Sequence, residues 1–365
     1  MLIHCTKKLL DELEVKPILD AEERPLYSWH ANLIMVNRRK TVVLCNDKNR
    51  YVIVLHGLKT KDFKNLKGLI IQAIRETLLD ESIKAEIVEE FIKCSPEVIF
   101  VKASDRPLVA KMNKACDNVQ FYIENLIKGT VIQTGISMKA SNYFFQDKDG
   151  KDSYSYPNEV MYKDLEPFSN GCIFSCKVVK MKITLELEDY EVWRRVIVPY
   201  NITFTELHDI MQTLFHWQDY HLHEFYIMDG EKQIVNLVYD DESLEYADER
   251  IESILEDGIK LSEYVPKYKR MQYNYDFGDD WTHYIEVEEI IDDYPQKYPI
   301  CLEWHGNAPP EDVGGESGFD EFLNAISDPK HPEYKDMMDW GNMQKYRDFD
   351  IEETNRRLKF YKKYR

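Results

Sequence analysis

The chain has 365 residues, 44% of them hydrophobic and 13% aromatic, with a formal net charge of -19. This is enough apolar material for packed cores, so general disorder is excluded, and at about 100 to 200 residues per domain the length points to two domains. No apolar run approaches the roughly 18 residues of a membrane span, and Met1 to Lys8 lacks the apolar stretch of a secretory signal, so the expected location is the cytoplasm with no membrane partner.

The seven cysteines (Cys5, Cys45, Cys94, Cys116, Cys172, Cys176 and Cys301) are odd in number and scattered, the pattern of reduced thiols. Cys172 and Cys176 have the spacing of half a zinc site, but no second pair follows and incidental thiols are the simpler reading. The charge is uneven. Residues 1–170 carry 25 Lys and Arg against 24 Asp and Glu, whereas residues 171–365 carry 22 against 42. Such an acidic surface repels a phosphate backbone and disfavours simple electrostatic DNA binding by the C-terminal half.

In chain order, Leu2 to Cys5 is a predicted strand, and Thr6 caps a helix over Lys7 to Leu13. Ser28 to Val36, Thr41 to Cys45 and Tyr51 to Leu55 are β-branched, apolar runs separated by turn residues, a three-stranded meander. Helical spacing follows from Thr60 to Cys94, with Phe63, Leu66, Leu69, Ile70, Ala73, Ile74 and Leu78 on one stripe. A strand at Val98 to Val101 then leads through Arg106-Pro107 into a helix ending near Ile127. Residues 1–128 therefore read as one α+β domain, and its opening Ile3-His4-Cys5-Thr6-Lys7-Lys8-Leu9 resembles an uncharacterised N-terminal domain family. Periodicity fades over 129–176, which reads as a linker or connecting segment, although Asn142 to Phe145 could form a strand.

The second domain is expected over 177–365. Val178 to Leu187 and Val192 to Val198 form a hairpin. Thr203 and Glu206 make a capping box for a helix with Leu207, Ile210, Met211, Leu214 and Phe215 on one face. His221 to Met228, Met271 to Phe277 and Thr282 to Ile290 are further strands, and Phe319 to Ser327 and Ile351 to Tyr361 are C-terminal helices. The fold class is α+β in two domains, the C-terminal one a β-grasp-like mixed sheet with a covering helix and C-terminal helices.

An ordered set of motifs runs through this half: Val192-Trp193-Arg194-Arg195, Thr205-Glu206-Leu207-His208, Trp217, His221-Leu222-His223-Glu224-Phe225, Tyr275 to His283, Cys301, Pro309 to Gly315, Asp328 to Pro332 and Asn355-Arg356-Arg357-Leu358. The set resembles the plasmid pRiA4b ORF-3-like family over roughly 178–360. The resemblance implies a fold and a setting on plasmids and other mobile elements more than a chemistry. Nothing matches the activated serine, arginine cluster and helix-turn-helix reader of a serine recombinase.

The chemistry-bearing residues allow two readings. His221 and His223 are two apart on an expected strand and so share a face. With Asp276, Asp279, His283 and Asp312 they supply the imidazoles and carboxylates that bind a divalent metal such as zinc, manganese or magnesium. Asp280 or Glu311 would then serve as general base in a metal-dependent hydrolase acting on a nucleotide or nucleic-acid phosphodiester. The competing reading makes the histidines core hydrogen-bonders and the carboxylates acceptors for turn N–H groups. It leaves an interaction or ligand-binding module with a protein or small-ligand partner. Gly314-Gly315 lacks the context of a phosphate loop, and Cys301, His305 and Asp312 do not by spacing alone make a nucleophile site. Arg38-Arg39-Lys40 and Lys59 to Lys67, near Tyr27, Trp29 and Tyr51, read as solvated turns beside core aromatics rather than a single-strand binding surface.

Overall fold

The computed structural model describes residues 1–18, 22–146, 154–246 and 250–360. The chain divides into two compact units, Met1–Ser175 and Cys176–Arg365. The first unit contains, in order, β1 (Leu2–Cys5), α1 (Lys7–Leu13), β2 (Ser28–Val36), β3 (Arg39–Asn46), β4 (Val52–His56), α2 (Thr60–Lys64), α3 (Leu66–Asp80), α4 (Ala85–Lys93), β5 (Ile99–Lys102), α5 (Arg106–Phe121), α6 (Thr134–Ser141), β6 (Phe145–Gln146), β7 (Tyr154–Ser155) and α7 (Pro157–Leu165). Its main sheet has the order β4-β3-β2-β1-β5, with β1 parallel to both neighbours. Alternation along the strands separates two cores. Ile3, Trp29, Leu44 and Ile53 pack with Ile70, Ile74 and Phe91 of the helices, while Val43, Cys45 and Val54 pack with Met112, Cys116 and Val119 of α5.

The stretch expected as a linker, 129–176, differs from expectation where it is described. Ile132, Met161, Tyr162, Leu165 and Ile173 are buried in the first unit's core. The Tyr162 and Tyr51 hydroxyls both donate to the buried Glu81 carboxylate. A polar, weakly periodic sequence hides this docking because only a few of its residues face inward. Residues 147–153 of that stretch lie outside the described residues. Phe145 does enter a strand, the two-stranded β6/β7 ladder.

The second unit contains β8 (Cys176–Leu185), β9 (Val192–Pro199), α8 (Phe204–Phe215), β10 (His223–Asp229), β11 (Lys232–Val238), α9 (Asp241–Glu245), β12 (Glu252–Leu255), α10 (Leu261–Tyr264), β13 (Arg270–Tyr275), β14 (Trp281–Tyr294), β15 (Ile300–His305), α11 (Gly315–Ser327), α12 (Tyr334–Met343) and α13 (Ile351–Leu358). Tyr361, expected at the end of the last helix, lies outside the described residues. The strands form one open, mixed sheet in the order β12-β11-β10-β13-β14-β8-β9-β15, in which β11 and β12 pair in parallel and the other neighbours are antiparallel. Helix α8 covers it. The Thr203 hydroxyl accepts from Glu206 N at 3.1 Å, and the Glu206 carboxylate accepts from Thr203 N at 3.0 Å. Leu207, Ile210, Met211 and Leu214 then bury against Met181, Ile183, Phe225 and Ile285 of the strands. The helix stops at His216, which takes a left-handed conformation. The α+β class, the hairpin, the covering helix and the C-terminal helices follow the expectation, whereas β11, β12, β15, α9, α10 and α12 escape it because they are short or weakly periodic.

Candidate metal centre

Three loops meet at one end of the second sheet: 216–222 after α8, 276–280 between β13 and β14, and 306–314 after β15. The β13–β14 turn is built by aspartates. Asp276 and Asp280 both have positive φ, and Asp276 Oδ1 accepts from the N–H groups of Gly278 at 3.0 Å and Asp279 at 3.3 Å. Short polar side chains tolerate this backbone because they can bond to it locally. The geometry leaves Asp276 Oδ2 facing His221 Nε2 at 3.4 Å, and Asp312 Oδ1 lies 2.8 Å from the same nitrogen.

Glu311 laces the loops together. Its buried carboxylate accepts from Gln218 N at 2.8 Å, from Tyr220 N at 3.4 Å and from the Tyr275 hydroxyl. Trp217 Nε1 donates to Pro309 O at 3.0 Å in the same seam. Burial and the Glu311 carboxylate push the Tyr275 phenol up from its ordinary range, which keeps it a neutral donor. Asp279 Oδ2 accepts from Gly314 N at 3.0 Å, tying the turn to the third loop.

The structure brings His221, Asp276 and Asp312 together: one donor atom from each lies within 4.8 Å of the others, the only such group of three among the described residues. The other expected ligands fall elsewhere. His221 precedes β10 rather than lying on it, so the expected shared strand face does not form. His223 begins that strand, buried, with Nε2 3.1 Å from Glu256. His283 is fully buried among Phe215, Trp217 and Tyr273. Neither of its ring nitrogens reaches a partner in hydrogen-bonding geometry among the described residues, although the Tyr273 and Trp281 carbonyls weakly favour its charged form. Burial lowers the His283 pKa to about 3. Asp279 is spent on Gly314. Of the two expected bases, Asp280 is exposed on the turn, and Glu311 has its oxygens occupied by three donors.

Sequence reasoning missed a second polar network beneath α8. His208 stacks on His223 with centroids 3.6 Å apart, lies 2.8 Å from the Tyr273 hydroxyl through Nδ1, and 2.8 Å from Asp219 through Nε2. Burial lowers its pKa to about 4. Burial acts to raise the Glu256 carboxyl, but the hydrogen bond and charge of His223, with the Thr205 hydroxyl, outweigh it and hold the group below its ordinary value. The available signal was His208 adjoining the apolar stripe of its helix. In the first unit His4 and His30 stack at 4.5 Å, and His30 Nδ1 lies 2.6 Å from Asp47.

Residues 177–357 match the model of the plasmid pRiA4b ORF-3-like protein family, and residues 2–160 match a domain of unknown function, DUF6933. The chain is 32% identical over 169 residues to the uncharacterized protein y4hQ of Sinorhizobium fredii, covering 46% of this chain and 83% of that protein. It is also similar to the crystal structure of MM3350, a protein of unknown function from Methanosarcina mazei Go1, at 33% identity and a TM-score of 0.40, over 48% of this chain and 94% of that one. The ordered motifs from Trp193 to Leu358 and their match over the second unit agree, and the chain belongs, through its C-terminal half, to the plasmid pRiA4b ORF-3-like family.

Proposed function

We propose that the chain is a non-catalytic ligand-binding or interaction protein of mobile elements, whose C-terminal unit takes a divalent cation at His221, Asp276 and Asp312. The observation that carries this reading is the convergence of one imidazole and two carboxylates from three braced loops. Ligand atoms around a tetrahedral zinc sit about 3.3 Å apart. The 3.4 Å separation of His221 and Asp276 already fits, while the 2.8 Å contact of His221 with Asp312 must open slightly to admit the ion. Three protein ligands leave coordination positions for a donor atom from a small ligand or a protein partner. No helix among the described residues is long and apolar enough to cross a membrane.

The same open positions are what a metal-dependent hydrolase of nucleotide or nucleic-acid phosphodiesters would use. That second reading is weaker, because Glu311 is fully engaged in bracing the loops and Asp280 lies on an exposed turn. Elemental analysis of the tag-free full chain after dialysis against Mn²⁺ or Zn²⁺ tests the cation. About one ion per chain is expected, lost in both His221→Ala and Asp312→Asn. An ion-free wild type, or an ion retained by both variants, would end the metal reading. Turnover of a phosphodiester that disappears in His221→Ala would replace the binding module with the hydrolase.

A further inference from the structure

A second feature of the C-terminal unit points to a different ligand. Arg194, on β9, is 1% exposed, and its guanidinium lies 4.0 Å from the centroid of Phe349 and 5.2 Å from that of Phe215. Nε donates to Leu214 O at 3.2 Å, and Nη1 donates to the carbonyls of Trp193, His305 and Gly306 at 2.9, 2.8 and 3.1 Å. These carbonyls, one at the C-terminal end of α8, account for Nε and Nη1. Nη2 makes no hydrogen bond to a described residue, and no described carboxylate pairs with the charge. A buried cation without a counter-charge is costly, and protein structures normally compensate it. Burial moves this guanidinium down to about 10.

Arg194 lines a hollow that it shares with His216, Asn307, Lys345, Tyr346 and Arg347. Three cations line one hollow in a half-chain where acids outnumber bases 42 to 22. Of the acids nearby, one offsets a cation of the hollow and none pairs with Arg194 or Lys345 among the described residues. Glu353 holds Arg347 at 2.8 Å, Asp348 accepts from Asn307 Nδ2 at 2.9 Å, and Asp350 caps α13 through the N–H groups of Glu352 and Glu353. His216 senses the resulting field. Burial first, then Arg347, Arg357 and Arg194, lower its pKa to about 4, so it stays neutral, stacked on Phe349 and 3.2 Å from the Thr354 hydroxyl. The hollow spans about 290 Å³ counting its mouth. Its enclosed part is about the size of one water molecule, so a single oxygen atom enters beside Arg194 and the rest of a ligand stays at the mouth.

We propose that this hollow binds a compact oxyanion, a phosphate or carboxylate group, with one oxygen on Arg194 Nη2 and the remaining charge met by Lys345 and Arg347 at the rim. Guanidinium groups favour such oxyanions because charge-assisted N–H···O bonds are stronger than neutral ones. The site is separate from the cation group and does not rest on it. The loops 216–221 and 307–312 run between the two, with His216 and Asn307 lining the hollow and His221 and Asp312 holding the proposed ion.

Calorimetric titration of the full chain with sodium phosphate, sodium acetate and sodium chloride at matched ionic strength tests the proposal. Saturable heat is expected with phosphate, acetate or both, and which one responds identifies the group carried by the ligand. Because Arg194 joins three chain segments, its loss could unfold the unit, so the diagnostic variants are Lys345→Asn, which keeps the left-handed backbone accessible, and Arg347→Gln. Each should weaken binding about fivefold, the effect of a partly screened charge, and the double variant should weaken it further. The proposal is overturned by no saturable binding to either oxyanion, by an equal response to chloride, or by binding that the double variant leaves intact.

Discussion

Glu311, Arg194 and His283 are all buried in the second unit, yet they spend their polarity differently. Glu311 is an acceptor with three donors, so Tyr275→Phe should remove one charge-assisted bond and lower stability by about 1 to 3 kcal/mol in urea unfolding. His283 has no well-formed partner, so His283→Leu should cost less than about 1 kcal/mol, well below the 2 to 5 typical of truncating a large core residue, because it also removes an unsatisfied group. The buried imidazoles also set a pH dependence. His208 and His216 are depressed to about 4 and His283 to about 3. In the unfolded chain each titrates near 6.5, so between about 6.5 and 4 the unfolded state binds more protons. Their contribution is therefore fully present above about pH 6.5 and is lost as pH falls toward the folded values, at up to about 1.4 kcal/mol per pH unit for each histidine. Urea melts at pH 7.5, 6 and 5 should show this loss, with a shallower slope in His283→Leu.

Helix α8 is the element on which the second unit depends, since it buries one face on the sheet and its C-terminal end starts the 216–222 loop. Its capping box is complete, so Thr203→Ala should lower the stability of the unit by about 1 kcal/mol, read as a shift in thermal midpoint. The turn after β15 is constrained by contact as well as conformation. Gly306 has φ +67°, and a Cβ there would stand 2.3 Å from the Glu191 carbonyl while Gly306 O accepts from Arg194. Gly306→Ala should therefore destabilise by more than the about 1 kcal/mol that the left-handed backbone alone costs. It should also weaken oxyanion binding by displacing the loop that lines the hollow.

At the scale of the molecule, each unit has its own apolar core. Expression of residues 1–175 and 176–365 as separate chains should give two cooperative unfolding transitions that match those of the full chain. A fragment without a cooperative transition would mean that its core needs the other half. The charge belongs almost wholly to the second unit, so that fragment should elute from an anion exchanger at markedly higher salt than the first.

The sequence by itself determined the elements whose periodicity is strong: the β2–β4 meander, the β8–β9 hairpin, capped α8, and the ordered motifs that carry the family resemblance. It also singled out His221, Asp276 and Asp312, but among equals. Local spacing placed His223 beside His221 and counted His283 and Glu311 with them, because strand alternation reports which face a residue occupies and not which neighbour it meets. Tertiary structure decides which of these side chains meet. Glu256 arrives from beyond β12 to take His223, the aromatic core encloses His283, and loop N–H groups occupy Glu311. The same limit applies to 129–176, where a few inward residues suffice for docking, and to Arg194, which the sequence shows only as one of two adjacent arginines. Only the packing of β9 against α8 and the 306–349 segment buries its charge, because burial and pairing depend on contacts between residues far apart in the chain.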